Sequence, residues 1–329
     1  VADRYTRIAR AVLEQPWAMI PSHFEALLDI LTFRVDGGRL SAEEIAARVG
    51  DRERPSTMAR AGAVAVLALH GPISQRMNLF AEISGGTSTE IFGRDFDAAI
   101  ADPEVVAIAI SIDSPGGSVA GVAELGDKIF KARGAGKPIV AVADSLAASA
   151  AYWIGSQAHE FVASPSAQVG SIGVVTSHRD VSKAEDAMGV KTTVIAIPAA
   201  KAEAHPYQPL SEEALTGVLA SMQPFYELFT KAVGRARGVS AKDVKDGYGQ
   251  GRVLAAVPAK AAGMVDRIES LSDVIARLSS PQGRKAVLSA QSPSATGETT
   301  VQEPTLATTQ ESARALWREL LTADLNTLE

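Results

Sequence analysis

Short unbroken apolar runs alternate with longer amphipathic stretches through the middle of the chain. Val64–Leu69, Val105–Ile112 and Pro138–Ala143 are too short for buried helices, and the first two run into Gly71-Pro72 and Ser114-Pro-Gly-Gly117. They read as strands covered on both faces. Between them, Phe92, Phe96, Ala99 and Ile100, and then Val122, Leu125, Ile129 and Phe130, recur at helical spacing. Glu160–Ala163, Ile172–Val175 and Lys191–Ile197 are further strand candidates. Glu212–Arg237 is the longest helical pattern, with Leu215, Val218, Leu219, Met222, Phe225, Phe229 and Val233 on its apolar side; it predicts a packing or subunit-contact helix. Strands separated by helices of this length indicate parallel crossovers and an α/β core.

The flanks follow other patterns. Residues 1–60 predict a helical N-terminal region. One stripe is Ile8, Val12 and Leu13; another is Phe24, Leu27, Leu28, Ile30 and Leu31, starting at Pro21-Ser22. Ser41-Ala-Glu-Glu44 has capping-box spacing for a third helix, and Arg52–Arg60 reads as a linker. The α/β domain is expected over residues 61–278. Residues 279–310, rich in Ser, Thr, Pro, Gln and Ala, predict a disordered linker. An amphipathic pattern returns over residues 311–329 through Ala313, Leu316, Trp317, Leu320 and Leu321. That segment suits partner binding, and docking on its own core is an equal alternative.

Composition narrows the classes. The 329 residues are 46% hydrophobic, enough for a sizeable core. No apolar run approaches the roughly 20 residues that span a bilayer, and the first residues lack the apolar stretch of a secretory signal. A soluble, non-exported protein without membrane contact is expected. A formal charge of −6 with no basic cluster argues against nucleic acid. With no cysteine, disulfides, thiolate metal sites and a cysteine nucleophile are excluded. His23, His70, His159, His178 and His205 show no ligand spacing, so neither a metal nor another cofactor is expected.

The candidate chemistry is acyl transfer. Ser149 stands among Ala147, Ala148, Ala150 and Ala151, where a buried strand turns into a helix. Taken alone, a serine there is most often an ordinary helix-start residue. Gly116 and Gly117 come straight off another buried strand, at the end where open α/β sheets place their sites. Glycine lets main-chain N–H groups face a ligand, and the N–H groups of Gly117 and Ala150 are placed to hold a carbonyl oxygen as it becomes an oxyanion. Neither a Walker sequence nor G-x-G-x-x-G occurs at this turn, so a phosphate cradle is disfavoured.

Serine needs a base. His159 lies ten residues on, a rise of about 15 Å along a helix, too far for a hydrogen bond. His178 and His205 stand in no triad context. A lysine serves if desolvation removes its charge, and Lys201 sits in the bland apolar setting Ile197-Pro-Ala-Ala-Lys-Ala202. A solvent-facing lysine is the commoner outcome for such a residue, and Lys183 and Lys191 are in less diagnostic surroundings.

Five motifs, in this order, resemble the signal-peptide-peptidase-A-like serine proteases, and among them the phage capsid proteases of the minor capsid protein C type. They are Asp113-Ser-Pro-Gly-Gly117, Ala148-Ser149 with Tyr152-Trp153, Gly170-Ser-Ile-Gly-Val174, the Lys201 segment leading to Pro206-Tyr207 and Leu210, and Gly251-Arg-Val with Ala262-Gly-Met-Val-Asp266. The resemblance covers roughly Val64 to Glu269. It implies a Clp-protease/crotonase-like α/β fold and a Ser–Lys dyad. Ser149 would be the nucleophile, Lys201 the general base and Ser171 a residue orienting the lysine. The oxyanion hole would form from Gly116, Gly117 and Ala150. Ala150-Ala151 replaces the Gly-Gly usual in the cellular enzymes, as in many phage members. The implied role is a prohead endopeptidase, assembled as a homo-oligomeric ring in the bacterial host cytoplasm. It would cut scaffold, portal or capsid proteins, and its own tail, with Lys201 acting within a copy or between copies. Three rivals stand beside it: a cytoplasmic signal-peptide-peptidase-like protease, an inactive capsid assembly protein, and a crotonase-like acyl-CoA enzyme.

Overall fold

The computed structural model describes residues 16–35, 58–76 and 86–290. The helices expected around Ile8–Leu13 and Ser41–Val49, and the C-terminal amphipathic segment, lie outside the described residues, as does the linker beyond residue 290.

The described residues form twelve strands: β1 (Trp17–Met19), β2 (Met58–Ala61), β3 (Val64–His70), β4 (Ile73–Ser74), β5 (Thr87–Ser88), β6 (Ala107–Ser114), β7 (Gly116–Ser118), β8 (Ile139–Ala148), β9 (Glu160–Ala163), β10 (Gln168–Gly170), β11 (Val253–Ala255) and β12 (Arg267–Ile268). The larger sheet runs β11-β10-β8-β6-β3-β2, with β9 pairing β8 and β12 pairing β9. Its centre is parallel, β3 on β6 and β6 on β8, as βα alternation requires. The long strand β8 divides its neighbours: Val140–Ala143 pairs with β9, while Leu146–Ala148 pairs with β10. A smaller sheet, β1-β7-β4-β5, lies at the end where β6 stops.

The helices are α1 (Pro21–Val35), α2 (Thr89–Ala101), α3 (Val122–Ala132), α4 (Ala150–Ser156), α5 (Ser182–Ala187), α6 (Glu212–Arg237), α7 (Ala241–Gly247), α8 (Ala256–Ala261), α9 (Leu271–Ser279) and α10 (Pro281–Ser289). Alternation along β6 explains why its first half, Ala107–Ile110, is apolar without a break. Ile108, Ile110 and Ile112 pack on the side of α2, α3 and α4, with Phe92, Phe96, Val122, Ile129 and Trp153. Ala107 and Ala109 face the opposite cluster with Val274 and Leu278 of α9 and Val287 of α10. A strand covered on both faces favours apolar side chains, and its buried Ser111 and Ser114 are each hydrogen-bonded, Ser111 with His70 Nε2 at 3.1 Å and Ser114 to the Gly71 carbonyl at 2.6 Å.

The α/β expectation holds, and several local readings are corrected. Residues 279–290 are not linker: Ser280 caps α10 by accepting from the Gly283 N–H at 3.0 Å, Pro281 opens it, and Val287 is buried on the sheet. A composition-based reading misses a helix whose apolar contribution is so small. The N-terminal region is not wholly helical, since Trp17–Met19 is a strand. Met58–Ala61, placed in the linker, instead forms a hairpin with β3 around Gly62, whose φ of +62° suits glycine. Lys191–Ile197 forms no strand, and Ile172–Val175 contributes only an isolated bridge, Trp17 to Val175. Among the described residues no helix is long and apolar enough to cross a membrane, and no cluster of His, Asp and Glu could hold a metal.

Candidate active site

Ser149 sits between β8 and α4 with φ 55° and ψ −117°, an unusual conformation for a non-glycine residue. Its own backbone bonds hold it there. The Ser149 N–H donates to the Gly170 carbonyl at 2.7 Å, and its carbonyl accepts from Trp153 N–H at 2.9 Å. Backbone strain of this kind costs on the order of 1–3 kcal/mol and persists only where surrounding packing enforces it. Here the packing is complete. Every residue of α4 is buried, Trp153 stacks on Phe229 with ring centroids 4.6 Å apart, and Tyr152 donates its hydroxyl to the Met264 carbonyl at 3.0 Å. Ser149 itself is 1% exposed. Its hydroxyl donates to the Gly173 carbonyl at 3.4 Å, a long bond.

Register brings Ser171 beside it. Gly170 pairs with Ala148 in the parallel β8–β10 ladder, so the next residue on each strand is a serine. Ser171 is also buried and also at positive φ (53°), with its N–H donating to the Arg252 carbonyl at 2.9 Å.

The glycines are not a free turn but strand β7, wedged between β1 and β4. Gly116 has φ 98°, and a Cβ there would strike the Ala18 carbonyl oxygen and come within 3.0 Å of the Ser149 Cβ. A Cβ on Gly117 would collide with the Ile73 carbonyl. Both positions therefore require glycine, for close backbone approach. The Gly116 N–H donates at 3.2 Å to the Ser114 hydroxyl, which donates onward to the Gly71 carbonyl at 2.6 Å. The Gly116 N–H is thus engaged within its own corner, while Gly117 stands opposite Ala18 in the β1–β7 ladder. Ser114 lies in the motif singled out from sequence, but its role as the clamp of this corner was not legible there.

Lys201 is placed differently. It lies exposed in the 3₁₀ turn Ala199–Ala202, with its N–H donating to the Pro198 carbonyl at 3.1 Å. Among the described residues no hydrogen bond or ion pair joins its amine to Ser149 or Ser171. The segment carrying it is stitched to itself, Val181 N–H to Pro206 carbonyl at 2.8 Å and His178 Nδ1 3.2 Å from the Ala204 carbonyl. Ile195 and Ile197 on it are 89% and 92% exposed. His159 is removed from the candidates: its Nδ1 accepts the Ile139 N–H at 3.2 Å and its Nε2 faces the Arg133 carbonyl at 3.1 Å, a structural histidine between strand and helix.

A cavity of about 510 Å³ lies beside the Gly173 segment, lined by Ile172, Val174, Leu219, Met222 and Tyr226 together with Lys245. Its mostly apolar wall suits a side-chain pocket. Lys245, not Lys201, is the lysine lining it, with its amine 5.4 Å from the Tyr226 ring centre; sequence reasoning passed over this residue because no motif contains it.

Residues 131–285 match Peptidase family S49. Protease 4 of Salmonella typhi is 32% identical over 216 residues, covering 66% of this chain and 34% of that protein. Capsid assembly protease C of Escherichia phage lambda is 29% identical over 252 residues, covering 74% and 56%. Head-tail preconnector protein GP5 of Enterobacteria phage P21 is 28% identical over 224 residues, covering 68% and 44%. The chain thus matches between 34% and 56% of the length of these relatives. Among solved structures, a ClpP1 variant from Listeria monocytogenes aligns with 64% of this chain and 94% of its own, at 18% identity and a TM-score of 0.39. Ser149, Ser171 and Lys201 fall within the matched stretch: residues 131–285 of this chain are a Peptidase family S49 domain.

Proposed function

We propose that the chain is a serine endopeptidase acting in phage head maturation, on scaffold, portal or capsid proteins, within the prohead in the bacterial host cytoplasm. The carrying observation is Ser149, held at positive φ against Gly116 and Ser171, at the end of a parallel strand. Similarity to the two phage proteins supports the capsid context.

In the proposed reaction the Ser149 hydroxyl attacks the scissile carbonyl while Lys201 Nζ takes its proton. The oxyanion is held by the N–H groups of Gly117 and Ala150. Collapse expels the amine, which receives the proton back from the lysine, leaving an ester on Ser149. Water, deprotonated by the same amine, then attacks the ester; the C–Oγ bond breaks, the Ser149 oxygen takes the proton back from the lysine, and the acid is released. No cofactor enters.

The exposed position of Lys201 bears on assembly. An uncharged amine requires removal from water, and one copy leaves this segment uncovered. Val194, Ile195 and Ile197, with Leu215, Leu219 and Leu228 of α6, offer apolar surface to a neighbour. The reading is that copies assemble as a homo-oligomeric ring and that a neighbouring copy completes the site with its lysine. Ser149→Ala and Lys201→Ala chains, each inactive alone, should regain cleavage when mixed. Mass spectrometry of a co-expressed scaffold protein reads out specific cuts, and cuts unchanged in both single variants would remove the dyad.

A second reading is supported by Protease 4 of Salmonella typhi, the most nearly identical of the relatives above. On that reading this chain would be a cytoplasmic signal-peptide-peptidase-like protease acting on released apolar peptides. Cleavage of such peptides with no cuts in scaffold, portal or capsid protein would favour it.

A further inference from the structure

The strand that pairs with the glycines beside the candidate nucleophile comes from far away in sequence. Trp17–Met19 runs antiparallel to Gly116–Ser118, with Trp17 opposite Ser118, Ala18 opposite Gly117 and Met19 opposite Gly116. On its other side Trp17 exchanges two hydrogen bonds with Val175, at 2.9 and 2.7 Å. Successive residues of a strand direct their N–H and C=O groups to opposite edges. Since Trp17 faces Val175, Ala18 must face Gly117, and Ile20 confirms the alternation by donating to the Pro115 carbonyl at 3.1 Å. The Ala18 carbonyl therefore addresses the Gly117 side, and it lies against the point where a Gly116 Cβ would come within 3.0 Å of the Ser149 Cβ.

If the Gly117 N–H holds a scissile carbonyl, an extended peptide would run along β7 with that carbonyl where the Ala18 carbonyl now lies. The opposite edge of β7 is already taken by β4, so one strand slot remains, and β1 fills it. Side chains fix the occupant. Trp17 and Met19 share one face and pack with Phe24 and Leu27 of α1, the Trp17 and Phe24 rings 5.8 Å apart. Ala18 turns inward and is fully buried. With this strand in place Ser149 has almost no solvent exposure.

We propose that Trp17–Ile20 is an intramolecular occupant of the peptide strand position beside Ser149. It is anchored by the α1 clip, and an incoming peptide strand must displace it. The site would then be a β-augmentation groove that accepts an extended segment with a small residue between bulky apolar ones. This inference rests on the reading of Ser149 as nucleophile for its meaning, but not for its test.

The test uses the whole chain and a dye-labelled peptide with the sequence of residues 14–22, its binding followed by fluorescence anisotropy. Ala18→Pro removes the N–H that faces Gly117, and Trp17→Ala removes the anchoring ring. Both variants should bind the peptide at least about tenfold more tightly than the parent chain, in which the slot is self-filled. Equal affinity in all three chains would overturn the proposal. Hydrogen exchange of the unaltered chain provides a check that needs no variant. Amides of Ala18, Ile20 and Val175 should be protected, and exchange of Ala18 and Ile20 at free-chain rates would also overturn it. Failure of the catalytic reading looks different. Peptide binding that is released in the variants, with no cleavage of any protein, would retain the occupied groove and remove the peptidase.

Discussion

From Ala147 to Ser156 every side chain is buried, Ser149 included, and the backbone bonds across β8, β10 and α4 close on one another. From Met188 to Lys201 the chain has the opposite character: Met188, Val190, Ile195 and Ile197 are exposed and no strand forms. Both stretches are apolar in sequence. They differ in what is available to cover them, since β8 lies between two helical layers of its own chain and the Lys201 segment has none. A chain that spends several large apolar residues on an exposed segment beside its candidate base carries half an interface. On the proposed reading the nucleophile side is finished by folding, whereas the base side awaits assembly.

The most severe way to break that comparison is catalytic. Ser149→Ala should lower cleavage of a protein substrate by on the order of 10⁴-fold or more, and Lys201→Ala by a comparable factor, because residues that act as a unit are not additive. Lys201→Ala should not shift the unfolding midpoint appreciably, because Lys201 is exposed. Initial rates by gel or mass spectrometry, paired with thermal melts, check both. A Lys201→Ala chain as active as the parent would end the dyad and turn attention to Lys245.

Next in size is the clamp that fixes the finished side. Arg237 of α6 makes two bonds to Asp266, at 2.7 and 2.8 Å, and Asp266 also accepts the Phe161 N–H at 2.7 Å. Burial works against the Arg237 charge, yet the two Asp266 oxygens outweigh it and hold the guanidinium's pKa above its ordinary range. Asp266→Ala removes this cation's carboxylate partner, leaving it the Gly263 carbonyl, and orphans a strand N–H. The expected loss is about 2–3 kcal/mol, between the cost of an exposed pair and that of a fully buried one, read by urea unfolding. An unchanged midpoint would mean that the clamp is ornamental.

How much of this was legible beforehand follows the same division. Val64–Leu69, Val105–Ile112, Pro138–Ala143 and the Glu212–Arg237 helix could be read because their patterns are set by their own burial. Ser149 and Gly117 could be located because small residues at a strand end are rare without a close backbone neighbour. Lys191–Ile197 looked like a strand because β-branched residues favour one wherever a ladder partner exists, and here none of the described residues supplies it. The strand Trp17–Met19 was missed for the converse reason: three residues carry no period, and their pairing with Gly116–Ser118 is set about 100 residues away. Pro281–Ser289 was hidden by polar composition around a single buried Val287.

A smaller effect tests the uncovered side alone. Ile195→Ser with Ile197→Ser should leave the stability of a single copy within about 0.5 kcal/mol, as for surface positions generally. The same change should shift the sedimentation profile from assembled species toward single copies. If the parent chain already sediments as one copy at micromolar concentration, or if the double variant assembles as the parent does, these isoleucines are not the interface.

The mildest expected effect sharpens the covered side through pH. His159 accepts the Ile139 N–H on Nδ1, which demands the neutral ring, and burial first, then the Arg133 charge, lower its pKa below the ordinary 6.5. A histidine lowered in the fold binds its proton more readily when unfolded, so unfolding takes up protons as the pH drops past 6.5. Its contribution is complete above that value and is lost toward the lowered one. His159→Gln keeps an acceptor and a donor but cannot titrate. Urea midpoints at pH 7.5 and 5.5 should therefore fall more for the parent than for the variant, with the gap between them narrowing in acid. The same variant should leave the pH dependence of cleavage, normalised to folded protein, where it was, because this ring is built into the β8 side and takes no part in moving the substrate's proton. A gap that widens in acid would reverse the sign and show that the ring is held charged.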